Sequence, residues 1–172
     1  MAAPARPAIP GSRAYTGFDG VAQGVKGSTA QWILEARRTS GNILHNLGAY
    51  GVRNMRGKKS MSVHATGRAV DLGYSRKPGS LQPDWGRSSV MPWLDRIVAN
   101  ANLLGVECIL DYFPAPHGRG WRCDRQAWIV YRMQTIGGAP GGQWFHVELN
   151  GQITATEVRK AFRQVFPEIP TS

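Results

Sequence analysis

Apolar residues fall at helical spacing in three stretches of the chain. In STAQWILEARRTSG, residues 28–41, Ala30, Ile33, Leu34 and Ala36 recur at helical intervals up to Gly41. The pattern predicts a helix with Ser28 near its cap and that apolar face turned into the core. In SSVMPWLDRIVANANLLG the spacing of Leu94, Ile97, Val98, Ala101 and Leu104 predicts a second helix, with Ser88 or Ser89 as cap and Pro92 accommodated in the first turn. Near the end of the chain Thr154 and Glu157 make a TxxE capping box ahead of Val158, Ala161, Phe162 and Val165, which predicts a short amphipathic helix.

Other segments alternate. Residues 68–74 put Val70, Leu72 and Tyr74 on one face and Ala69, Asp71 and Gly73 on the other, the pattern of a half-buried strand. Residues 49–55 read as a short strand leading into the basic loop of Arg56, Lys58 and Lys59. VECILDYF and AWIVYRM are rich in β-formers and flank a loop, PAPHGRGWRCDRQ; WFHVELN follows the turn GGAPGG. In that last strand Phe145, Val147 and Leu149 belong to the core face, so Trp144, His146 and Glu148 project from the opposite one. Three strands late in the chain, together with the helices, imply an α+β fold with an antiparallel sheet flanked by helices. Residues 1–13, with three Pro and four Ala and no periodicity, read as an extended arm, and residues 14–172 as a single domain.

Composition narrows the function. A chain of 172 residues with 42% hydrophobic content can bury its own core, so a bound metal is not needed merely to fold it. It contains no apolar run of membrane-spanning length. The opening MAAPARPAIPGSR holds no apolar segment and predicts no secretory leader. The net charge is +10, and 16 of the 21 basic residues are Arg, which suits anionic partners such as nucleic acid or an anionic cell wall. The basic residues are spread along the chain without a block of five or six together and no nucleic-acid motif is present, which argues against nucleic acid. Cys108 and Cys123 match no metal spacing and read as two buried thiols rather than a disulfide.

The remaining chemistry lies in histidines that packing does not explain. His64 sits in a loop between Ser62 and Gly67, where no apolar pattern asks for a ring, and Asp71 follows on a strand face that otherwise carries only Ala69 and Gly73. His146 projects from the polar face of the last strand. Two imidazoles and one carboxylate leaving an open fourth position are the ligand set of a catalytic zinc, whereas a closed structural site would use more Cys. Trp121 and Trp144 are the tryptophans placed near such a site.

The segment SVHATGRAVD, with Ser62, His64, Gly67, Ala69 and Asp71, resembles the SxHxxGxAxD signature of the zinc D-Ala-D-Ala carboxypeptidase and L-alanyl-D-glutamate peptidase family. WFHVEL around His146 is similar in type and order to the region of that family's third ligand. The resemblance spans residues 48–149 and is nearest in feel to phage endolysin and virion-associated members. It implies one Zn2+ on one face of the sheet, held by His64, Asp71 and His146, and hydrolysis of an amide bond in peptidoglycan stem peptides or cross-links. It also implies a phage particle or host cytoplasm as location, with release to the wall, and bacterial peptidoglycan as partner. The N-terminal arm is expected to dock on other virion proteins as further partners.

In the family an Asp or Glu stands three positions before the last His ligand, and here that position is Gln143. An amide cannot accept a proton, and general acid/base catalysis contributes about 10²- to 10⁴-fold. Glu148, on the face of His146, is the nearby replacement. An upstream Arg that steadies the oxyanion or a substrate carboxylate corresponds to Arg53, with Arg56 in reserve. Ser62 is expected to brace the loop or hydrogen-bond Asp71. The alternative is a structural or wall-binding member of the same fold in a phage particle, impaired in catalysis by Gln143.

Overall fold

The computed structural model describes residues 9–55, 57–74 and 86–167. Among them six strands form one sheet: β1 (His45–Gly48), β2 (Ala69–Gly73), β3 (Val106–Asp111), β4 (Arg119–Arg122), β5 (Ala127–Val130) and β6 (Trp144–Leu149). The order is β1-β2-β6-β3-β4-β5, and every neighbouring pair is antiparallel. With helices α1 (Gly27–Thr39), α2 (Arg87–Ala99) and α3 (Ala155–Val165), this is the α+β architecture that the patterning predicts.

The sheet separates two environments. Val70 and Leu72 of β2, Phe145, Val147 and Leu149 of β6, Ile109 of β3 and Trp121 of β4 are fully buried on one side. The helices close over them. Trp32 of α1 meets Trp93 of α2 and Phe162 of α3 edge-on, with ring centroids 6.0 and 5.3 Å apart, so one indole joins all three helices. Such aromatic pairs contribute ~0.5–1.5 kcal/mol each beyond their buried area. The α3 capping box forms as expected: Thr154 Oγ1 accepts from Glu157 N and the Glu157 carboxylate accepts from Thr154 N.

Several local expectations are corrected. Ser28 lies inside α1, whose cap position is Lys26, and Leu34 and Ala30 face solvent. The buried stripe is instead Ser28, Thr29, Trp32, Glu35 and Ala36, because its polar members find partners: Thr29 Oγ1 donates to Gly67 O, and Glu35 accepts from Gln31 and Arg38. Helix α2 is capped at Gly86 without a side-chain cap, so Ser88 and Ser89 lie within it and Pro92 falls in its second turn. The first strand is 45–48 rather than 49–55; the latter segment enters a hairpin marked by the Asn54–Met61 bridge. Strand β4 lies inside the segment read as a loop, where two of its four residues are Arg and hide its alternation.

Residues 9–13 are docked. Arg13 donates through Nη2 to Val106 O (2.6 Å) and through Nε to Asn102 Oδ1 (2.7 Å), and Gly11 O accepts from Asn102 and Gln126. The rest of the expected arm, residues 1–8, lies outside the described residues. Both cysteines are free and buried. Among the described residues no helix is long and apolar enough to cross a membrane.

Candidate metal centre

The face of the sheet opposite the helices carries the polar cluster, and strand register assembles it. β2 and β6 pair so that Asp71 lies directly opposite His146, two positions whose side chains must meet on one face. His64 arrives from a different device. Ser62 Oγ accepts from His64 N (3.3 Å) and caps a 3₁₀ turn, Val63–Thr66. Gly67 ends that turn with a φ of 68°, and a Cβ there would lie 2.2 Å from Gly24 O. The tight stop returns the chain into β2 and holds His64 above Asp71.

The donors converge. His64 Nε2 is 3.3 Å from Asp71 Oδ2, and His146 Nδ1 is 2.9 Å from Asp71 Oδ1. The two imidazole centroids are 4.8 Å apart, and one ligand atom from each of the three residues lies within 4.8 Å of the others. Two donors bound tetrahedrally at ~2.1 Å sit roughly 3.4 Å apart, so this spacing fits a shared ion after small side-chain adjustments. The buried His64, Asp71 and His146 group could therefore hold a metal ion.

Glu148 occupies the far edge of the His146 ring. Its Oε1 is 2.9 Å from His146 Nε2, while its Oε2 accepts from the Tyr15 hydroxyl at 2.6 Å. Burial depresses the His146 pKa, but hydrogen bonds to Asp71 and Glu148 outweigh it and push the ring up to about 9. Asp71 is raised by burial yet held well below the usual carboxylate range by its bonds to His146 and His64. Glu148 is likewise buried and held low, by His146 and then Tyr15. The metal-free cluster is thus an imidazolium between two carboxylates, whose ring proton a divalent cation can replace.

A cleft of about 220 Å³ opens over the cluster. Arg53, Ser62, Trp144 and Glu148 line it, together with Met55, Leu110, Ile136 and Tyr112. Tyr112 and Trp144 stack at 3.6 Å with planes 14° apart, forming a flat aromatic wall. Two expected residues are elsewhere. Trp121 is 1% exposed and belongs to the core, because the register with Ile109 turns it to the helical side. Gln143 is absent from the cleft lining; its backbone carbonyl accepts from Tyr74 N (3.1 Å). Arg56 lies outside the described residues.

Sequence reasoning missed Tyr15 and Tyr112. Tyr15 stands in an aperiodic segment that gave no reason to point at the sheet, and Tyr112 follows the last residue of β3, where alternation no longer applies. No protein-family model matches the chain, and no curated protein or solved structure matches it either.

Proposed function

We propose that the protein is a zinc-dependent hydrolase of amide bonds in peptidoglycan stem peptides or cross-links. The observation that carries this reading is the convergence of His64 Nε2, His146 Nδ1 and the Asp71 carboxylate on the floor of one cleft. A zinc ion held there would supply Lewis acidity, polarising an amide carbonyl and acidifying a water molecule. The chain's own groups would bind and orient the substrate. Arg53 at the cleft wall offers a forked pair of donors to a substrate carboxylate or to a developing oxyanion. The Tyr112–Trp144 wall offers an apolar surface to the peptide. The resemblance of SVHATGRAVD to wall peptidases supplies the substrate class, and a net charge of +10 suits an anionic wall.

A second reading is favoured by one observation. Both oxygens of Glu148 are engaged, by His146 and by Tyr15, and Gln143 stands where a proton-accepting carboxylate is expected. A member of this fold that binds wall material without cutting it fits that arrangement. One experiment separates the readings. The protein is loaded with zinc, its metal content is measured, and purified peptidoglycan is incubated with it and analysed by mass spectrometry. Close to one zinc per chain with new peptide termini, both lost in His64→Ala, supports the hydrolase. Bound zinc and sedimentation with the wall without any cleavage supports the binder. Wall lysis by His64→Ala equal to the parent refutes the ligand assignment.

A further inference from the structure

The described N-terminal segment ends in a strap that crosses the polar face of the sheet, and its attachments are specific. Thr16 bonds to Glu107 through both its N–H (3.3 Å) and its hydroxyl (2.7 Å). Glu107 sits where the β3–β6 register shifts between Val106 and Cys108, an irregularity of the kind that re-aims a side chain. The fully buried Arg68 donates to Gly17 O on the strap and to Leu149 O at the end of β6, and pairs with Asp19 at 3.0 Å. Between the anchor at Arg13 and these, Tyr15 lies beneath the Arg122 guanidinium, which sits 4.1 Å from its ring centroid. The ring has little freedom, and its hydroxyl meets Glu148 at 2.6 Å.

We infer that Tyr15 is a positioning residue for the metal centre: by donating to Glu148 Oε2 it fixes the carboxylate whose Oε1 holds His146 Nε2, so that His146 Nδ1 stays turned toward Asp71 and the cleft. The inference rests on the metal-binding reading above. Its physical basis is that an imidazole ligating through one nitrogen needs a partner on the other to set its tautomer and ring orientation, and that loss of such a partner costs ~10–100-fold in metal affinity. A carboxylate alone can rotate about its own bonds. A second hydrogen bond from a pinned phenol removes that freedom, which makes residues 13–19 part of the site although none of them lines the cleft.

The test compares the full-length parent with Tyr15→Phe, which removes only the hydroxyl, and with Glu148→Gln. Zinc affinity is measured by competition with a chromophoric chelator. Two-bond proton–nitrogen spectra of the zinc-loaded proteins report which His146 nitrogen carries the proton, and thermal unfolding of the metal-free proteins reports stability. Expected are a loss of about tenfold or more in zinc affinity for both variants, metal-free melting temperatures close to that of the parent for Tyr15→Phe, and a His146 Nε2–H signal that shifts or broadens. Affinities within twofold of the parent overturn the inference and leave the metal reading standing. A lower melting temperature with unchanged His146 signals gives Tyr15 a structural role only and also overturns it. A parent that binds no zinc removes the metal reading, and the inference falls with it.

Discussion

Asp111 ends β3 with no solvent exposure, and its charge is matched by a clamp whose removal has a calculable cost. Arg87, the first residue of α2, reaches it with both terminal nitrogens, at 2.9 and 2.7 Å; Arg119 adds Nε at 2.9 Å and Phe113 N donates at 3.2 Å. Replacing Arg87 by Met keeps much of the side chain's volume and deletes two of these donors, leaving the carboxylate with Arg119 and one backbone N–H. Breaking a buried ion pair from one side costs ~3–5 kcal/mol, and the surviving partners place this case near about 3 kcal/mol. For a chain of this size that is roughly 6–12 °C in melting temperature. Arg87→Lys retains the charge without the fork and recovers less than half of the loss. Urea and thermal unfolding followed by tryptophan fluorescence measure both variants, and Arg87→Met combined with Asp111→Asn should lose less than the sum of the singles, because the buried carboxylate that Arg87 neutralises is no longer charged. An Arg87→Met protein within about 1 kcal/mol of the parent would refute the reasoning, since it would mean that Arg119 and the backbone alone satisfy Asp111.

Two further predictions concern the metal centre. Gly67→Ala forces a side chain into a left-handed backbone at ~1–2 kcal/mol and drives it against Gly24 O; the variant should melt at least about 4 °C below the parent and bind zinc more weakly, and an unchanged melting curve would show that the turn carrying His64 is not so constrained. In the metal-free protein His146 has its pKa raised from 6.5 to about 9, so the stability it contributes is present below pH 6.5 and is lost as the pH climbs through 9, by at most about 3 kcal/mol. Melting temperatures in the presence of a chelator should therefore fall across that window and stay level in zinc-loaded samples, whereas a level chelated profile would contradict the doubly bonded imidazolium.

Much of the architecture was legible because alternation and helical spacing are local. The faces of β2 and β6 followed from parity alone, and with them the prediction that Asp71 and His146 share a side. Register was not local: that Asp71 faces His146 rather than a neighbour two residues away depends on how residues 75 positions apart pair. Trp121 was misplaced because RGWR, with two arginines in four residues, conceals a strand. The α1 stripe was misread because Thr29 and Glu35 are buried through hydrogen bonds rather than through apolarity. Glu148 was recognised as sharing the face of His146, but its engagement by Tyr15 rests on a segment without periodicity, whose path only tertiary anchors such as Arg68 and Glu107 determine.

The pairing of β2 with β6 carries a consequence for how the protein matures. Asp71 and His64 emerge from the ribosome long before His146, and the strand that brings the second imidazole is inserted at the middle of the sheet, between β2 and β3. Until that strand is seated, a nascent chain presents only two of the three donors. The group that could hold a cation is thus completed late, after the sheet has closed, and a truncation ahead of residue 144 would leave a polypeptide without its second imidazole.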